Sequence, residues 1–128
     1  MNESKRTLIG WMLSGLLATL LAFSASGKFR DFPGKEETFN QLGWSLETMR
    51  VIGIVEIAIT VIFLIPQTAF IGAILLTGYM GGAIAAHVRV DEPFVIQFTV
   101  GVVIWIAYML RRWDVVRLAL LGEEKQKL

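Results

Sequence analysis

Four apolar runs separated by short polar clusters limit what this chain can fold into. Residues 7–27, 48–65, 68–88 and 93–110 are almost free of charge, except for Arg50 and Glu56 in the second run. A helix crosses the hydrocarbon core of a bilayer in about 20 residues, so each run qualifies or comes close. The chain has 128 residues, room for one domain and not for two. Its hydrophobic fraction is 55% and its charged fraction 18%; a soluble domain holds about 45–50% and about 25%. The charges gather at the two ends and in two patches, 28–50 and 87–92. The expectation is an all-α, four-transmembrane-helix bundle, a single membrane domain over residues 1–128 in a lipid bilayer.

Pro66 ends the second run, and the tripeptide PQT makes a tight turn into the third. Pro93 suits the first turn of the fourth helix, where its missing N–H costs nothing. Lys5-Arg6, an apolar stretch and then AFSASG also fit a signal peptide. Signal-peptide cores run about 7–15 residues, and the stretch 7–23 is longer, so a retained span is expected.

Four spans put both termini on one side. Lys5, Arg6, Arg111, Arg112, Arg117, Lys125 and Lys127 then face Lys28, Arg30, Lys35, Arg50 and Arg89 across the membrane. The positive-inside rule favours cytoplasmic termini, in a plasma membrane or bacterial inner membrane. Trp44, Tyr108 and Trp113 fall where an interfacial aromatic belt belongs. The basic tail, 111–128, reads as an interfacial amphipathic segment against anionic lipid. A net charge of +1 offers no field for nucleic acid, and the absence of cysteine removes disulfides, thiolate metal sites and thiol redox chemistry.

Small residues let membrane helices approach closely. Ser14, Ala18, Ala22 and Ser26 form a ridge at four-residue spacing in the first run. Gly78 and Gly82 form a GxxxG pair in the third, read as packing inside the bundle first and as a homodimer face second. Between the first and second spans, FRDFPGKEETFNQLG opens on a Pro33-Gly34 turn. Residues 35–42 then suit a short helix showing Phe39 and Leu42 on one side and ended by Gly43, a cap over one mouth of the bundle. A solvated loop is the alternative.

Glu56 is the residue that needs a reason. An acidic side chain at a bilayer centre costs roughly 2.5–3.5 kcal/mol, so it faces the bundle interior and finds a partner. Met49, Gly53, Glu56, Thr60 and Phe63 share one helical face, and its small and hydroxylic members suit an inward surface. Glu56 lies roughly 10–12 Å along the second span at 1.5 Å per residue. Connectivity brings Lys28, Arg50, Glu56, His87 and Arg89 to one side. His87 continues a face of Gly72, Leu76, Tyr79 and Ala83. The candidate ligand-binding set is Lys28, Glu56, His87, Arg50 and Tyr79, with Lys28 and His87 as donors and Glu56 as a titratable acceptor. The competing reading is a structural ion pair that orients the helices. One His beside one Glu is too little for a metal, and no nucleophilic triad, phosphate loop or dinucleotide motif is present.

SASGKF at the end of the first span, LGW followed by MRVIGIVEIAITVIFLIP, and IGAILLTGYMGGAIAAHVRV resemble the DoxX-like family of small four-span membrane proteins over residues 24–108. The family pattern is a Gly-Lys closing the first span, a Gly-x-x-Glu in the second and a His near the end of the third. Lys28, Gly53, Glu56 and His87 stand at those positions. Relatives include a subunit of an archaeal thiosulfate:quinone oxidoreductase, members of oxidative-stress membrane complexes, and distant receptor-assembly chaperones or cargo receptors. The resemblance implies a polar site for a small or lipidic, quinone-like ligand. Catalysis is implied only as a subunit of a quinone-linked oxidoreductase, since the chain holds no redox group of its own. It equally implies an assembly or chaperone subunit docked on a membrane-protein partner.

Overall fold

The computed structural model describes residues 1–122, and every regular element among them is helical. In chain order these are α1 (Glu3–Phe29), α2 (Lys35–Gln41), α3 (Leu46–Leu64), α4 (Ala69–Val88), α5 (Val95–Arg111) and α6 (Trp113–Leu121). Local chemistry sets the ends. Asn2 Oδ1 accepts from the Lys5 N–H at 2.9 Å and Ser45 Oγ from the Thr48 N–H at 3.1 Å, each satisfying an orphan amide of a first turn. The short helix expected over 35–42 is present as α2. It closes through Trp44 N–H to Phe39 O at 2.9 Å and Gly43 N–H to Asn40 O at 3.0 Å, with Gly43 at φ 86°, where a glycine carries no Cβ penalty.

Asp91 closes α4 in the same way at φ 57°, with Glu92 N–H donating to His87 O at 2.9 Å. Residues 89–92 are used up in that turn. Pro93 therefore precedes α5 instead of sitting in its first turn, and Phe94 is the N-cap.

α1 packs on α3 and α5, and α4 packs on the same two helices, while the backbones of the diagonal pairs stay apart. Chain direction alternates around this ring. Gly10 near the start of α1 lies against Leu110 and Arg111 at the end of α5. Arg111 in turn donates to the carbonyls of Phe63 and Leu64 at the end of α3, at 3.1 and 3.5 Å, and to Ser14 Oγ at 3.1 Å. Its guanidinium also covers the Trp11 ring at 3.9 Å. Among the described residues no carboxylate pairs with this buried cation, which is held against the negative end of a helix dipole. The core between the helices is built on Leu17, Leu21, Phe63, Leu76 and Ile104.

By length and composition two helices, α1 and α4, are long and apolar enough to cross a bilayer. α5 and α6 add a third only if they are one span bent by 97°. Among the described residues two or three spans are therefore supported, not the four expected. α3 falls short because Glu47, Arg50 and Glu56 lie within its 19 residues, and α5 because it has 17.

Two packing expectations change. The buried face of α1 is Gly10, Ser14, Leu17, Leu21, Ala25 and Lys28, and the ridge through Ala22 leaves it, Ala22 being exposed. Steps of four residues drift about 40° around a helix of 3.6 residues per turn, whereas alternating threes and fours hold one face. At Gly78 and Gly82 an added Cβ would meet nothing within 4 Å, so this pair does not pack helices inside the ring. The close approaches lie elsewhere. A Cβ on Gly72 would run into the Phe63 backbone, and one on Gly10 would stand 2.8 Å from the Arg111 amide nitrogen.

α6 leaves the axis of α5 at Arg112, whose guanidinium forks onto Asp114 at 3.0 and 2.8 Å. Arg6 lies over the Trp113 ring at 5.4 Å, tying α6 to α1, while Leu118, Leu120 and Leu121 stay exposed. The rest of the expected basic tail, with Lys125 and Lys127, lies outside the described residues.

Candidate functional site

The inward face of α3 is the one its spacing predicts: Met49, Gly53, Glu56, Thr60 and Phe63 are all buried. Gly53 makes the site possible. With only a hydrogen there, the Phe29 ring and the Lys28 Cβ stand 3.0–3.2 Å from where a Cβ would be. The last turn of α1 therefore lies flat on α3, one helical turn from Glu56. Lys28 Nζ donates to Glu56 Oε2 at 2.8 Å. The carboxylate is 1% exposed and the lysine 8%. Nζ also donates to Ser24 Oγ at 3.0 Å and to the Ser24 carbonyl at 3.4 Å, so all three ammonium N–H bonds are used. Thr60 Oγ1 donates to the Glu56 backbone carbonyl at 2.6 Å, leaving the carboxylate to others.

A cavity of about 810 Å³ opens beside this pair, lined by Lys28, Glu56, Tyr79 and His87 along with Ser24 and Gln97. Small-molecule sites span about 300–1,000 Å³. Most of the remaining wall is apolar, with Leu20, Leu21, Val55, Met80 and Ile96 among its members. Gly78 and Gly82, the GxxxG pair, form part of it; their missing side chains leave volume instead of joining helices. Phe32, Phe39 and Trp44 line it from the segment between α1 and α3, where Phe32 and Phe39 meet edge-on at 6.2 Å. Arg89 Nη2 donates to the Leu42 carbonyl at 2.7 Å, fastening that segment to the end of α4.

Four of the five sequence candidates share this cavity. Arg50 does not: it is exposed and outside the lining, because it lies six residues before Glu56 on another face of α3. The Tyr79 hydroxyl is near enough to interact with the Glu56 carboxylate. No hydrogen bond of good geometry joins them, and Glu56 Oε1 is buried without a partner among the described residues. His87 does not reach the ion pair. Its Nδ1 lies 2.8 Å from the Ala83 carbonyl and its Nε2 lies 3.2 Å from Gln97 Nε2.

Ser24 and Gln97 are the members that sequence reasoning missed. Ser24 is four residues before Lys28, a spacing that faces one helical turn. Gln97 is the one amide in the apolar run 95–110, and an amide in such a run was a readable signal.

Fold and site together define an all-helical, membrane-type protein with an ion pair at the wall of an apolar cavity. The model of the DoxX-like family matches residues 12–110, and the chain belongs to that family. No curated protein and no solved structure matches it.

Proposed function

We propose that the chain is a four-span integral membrane protein whose cavity binds a small lipidic ligand, quinone-like in shape, within a redox-linked membrane complex. The carrying observation is the meeting of a buried Lys28–Glu56 pair with a largely apolar cavity of ligand size. Four spans suit the helix lengths: α3 and α5 run about 28 and 26 Å at 1.5 Å per residue, close to a hydrocarbon core of about 30 Å. Glu56 adds no lipid-facing charge to α3, since it points inward. Glu47 and Arg50 lie in its first turns, at interfacial depth. The membrane is a plasma membrane or bacterial inner membrane with cytoplasmic termini, the side on which Lys5, Arg6, Arg111, Arg112 and Arg117 gather.

Lys28 orients Glu56, while Glu56, His87 and Tyr79 face the polar end of the ligand. A second reading is an assembly or chaperone subunit on a membrane-protein partner. It draws support from Lys28, whose N–H groups are all engaged inside the protein as in a purely structural pair. Glu56→Gln and His87→Ala separate the two. Small molecules retained by the purified protein are identified by mass spectrometry, and folded yield is measured alongside. Loss of a retained lipidic molecule with the yield intact is the expected result. Loss of yield with no molecule retained even by the unsubstituted protein would replace the binding reading with the structural one.

A further inference from the structure

The cavity does not stay inside the ring of helices. On α4 its lining includes Tyr79, Ala83 and Ala86, which are buried or half-buried, and also Gly78, Gly82 and Ala85, which are exposed. Each exposed member directly precedes an inward one, about 100° further around a helix of 3.6 residues per turn. α3 repeats the pattern. Glu56 is buried and Ile52 half-buried, while Val51 and Val55, one residue before each, line the cavity at 55% and 46% exposure. α3 and α4 are neighbours in the ring, so the cavity runs out between them onto the outer surface. At Gly78 and Gly82 this gap is open, with nothing within 4 Å of an added Cβ. Nearer the turn that joins the two helices, Gly72 lets the Phe63 backbone close it.

The gap lies at hydrocarbon depth. Gly78 is ten residues from the end of α4 and Val55 nine from the start of α3. That is roughly 13–15 Å at 1.5 Å per residue, near the middle of a core of about 30 Å. Toward water the wall is different. Phe32, Phe39, Leu42 and Trp44 line the cavity from the segment between α1 and α3, and Arg89 fastens that segment through the Leu42 carbonyl at 2.7 Å. Where α1 meets α5, the lining carries Leu20 and Ile96, and only Gly27, near the outer end, lacks a side chain.

We infer that the gap between α3 and α4 is a lateral portal, through which the ligand enters from the bilayer and along which its hydrocarbon tail lies, across Gly78 and Gly82. The portal rests on the membrane-spanning, ligand-binding reading above and adds the route to that site. Its walls are apolar throughout, and the medium against this face of a spanning helix pair is hydrocarbon. A solute arriving from water meets the aromatic cap first. A helix of a second copy seated on Gly78 and Gly82 would instead shut the mouth of the cavity.

The test uses the full chain in phosphatidylcholine liposomes and a hexadecanol carrying a mid-chain diazirine. Samples are photolysed at intervals after its addition, and labelled residues are mapped by mass spectrometry. Label is expected at Val55 and, inside the ring, at Met80, which lines the cavity and is 7% exposed. Leu16 and Phe23, exposed on α1 and outside the lining, report the probe in the bilayer in every sample. Gly78→Leu with Gly82→Leu puts side chains into open space, so the fold is kept. Label at Met80 should then be lost while that at Leu16 and Phe23 is unchanged. Arg89→Ala, which cuts the clasp on the cap, should leave label at Met80 as it was. Label at Met80 that survives the two leucines, with or without a rise in Arg89→Ala, would overturn the portal and leave the cavity reading standing. Val55 shielded from the probe, in a protein that runs as a dimer in detergent, would give the gap to a second copy and overturn the portal too. Label at Leu16 and Phe23 but never at Met80 would remove both the portal and the ligand-binding reading.

Discussion

Replacing Lys28 by methionine removes the ammonium while keeping an apolar stem of similar length. What remains is a carboxylate 1% exposed, with Oε1 already lacking a partner and Oε2 newly deprived of the one at 2.8 Å. Ser24 cannot substitute from α1, because its contact with the site runs through Nζ. Taking one member from a buried pair costs about 3–5 kcal/mol, most of it the penalty of an uncompensated charge. Replacing both members by apolar groups is often neutral. Lys28→Met with Glu56→Leu should therefore recover most of the loss, giving a coupling energy of about 2–4 kcal/mol in a double-mutant cycle. Reversible unfolding of the purified protein in mixed micelles, followed by tryptophan fluorescence, measures all four corners of the cycle. A single Lys28→Met within about 0.5 kcal/mol of the unsubstituted protein would refute the argument. So would a double variant whose loss equals the sum of the singles, because the two charges would then not be coupled.

Two further outcomes follow from the packing. Gly72→Ala should destabilise by about 1–3 kcal/mol in the same unfolding assay, since its Cβ meets the Phe63 backbone; Gly78→Ala, facing open cavity, should fall within about 0.5 kcal/mol of the parent. Arg111→Lys keeps the charge but not the fork that reaches Ser14, Phe63 and Leu64, and a loss of about 2–3 kcal/mol is expected at this bond-by-bond scale.

How much of this was readable in the sequence depends on the range of the interaction involved. The helices were readable because apolar run length and terminal capping are local properties, and α2 emerged from Pro33, Gly34 and Gly43 for the same reason. The inward face of α3 was readable because a carboxylate in a greasy helix has so few tolerable directions. The small-residue motifs misled, since spacing alone does not say which face a neighbour covers. Gly78 and Gly82 carry a packing signature yet border empty space, while Gly72, in no motif, takes the Phe63 backbone against it.

The roles within the site were hidden for a related reason. A sequence shows which donors and acceptors exist, but not which are already spent. Lys28 looks like a donor awaiting a ligand until Ser24, one turn earlier on its own helix, is seen to take what Glu56 leaves. His87 looks like a free hydrogen-bonding group until Ala83 and Gln97 occupy both ring nitrogens. Satisfying these prominent side chains moves the unmet hydrogen bonds onto the oxygens of Glu56 and Gln97.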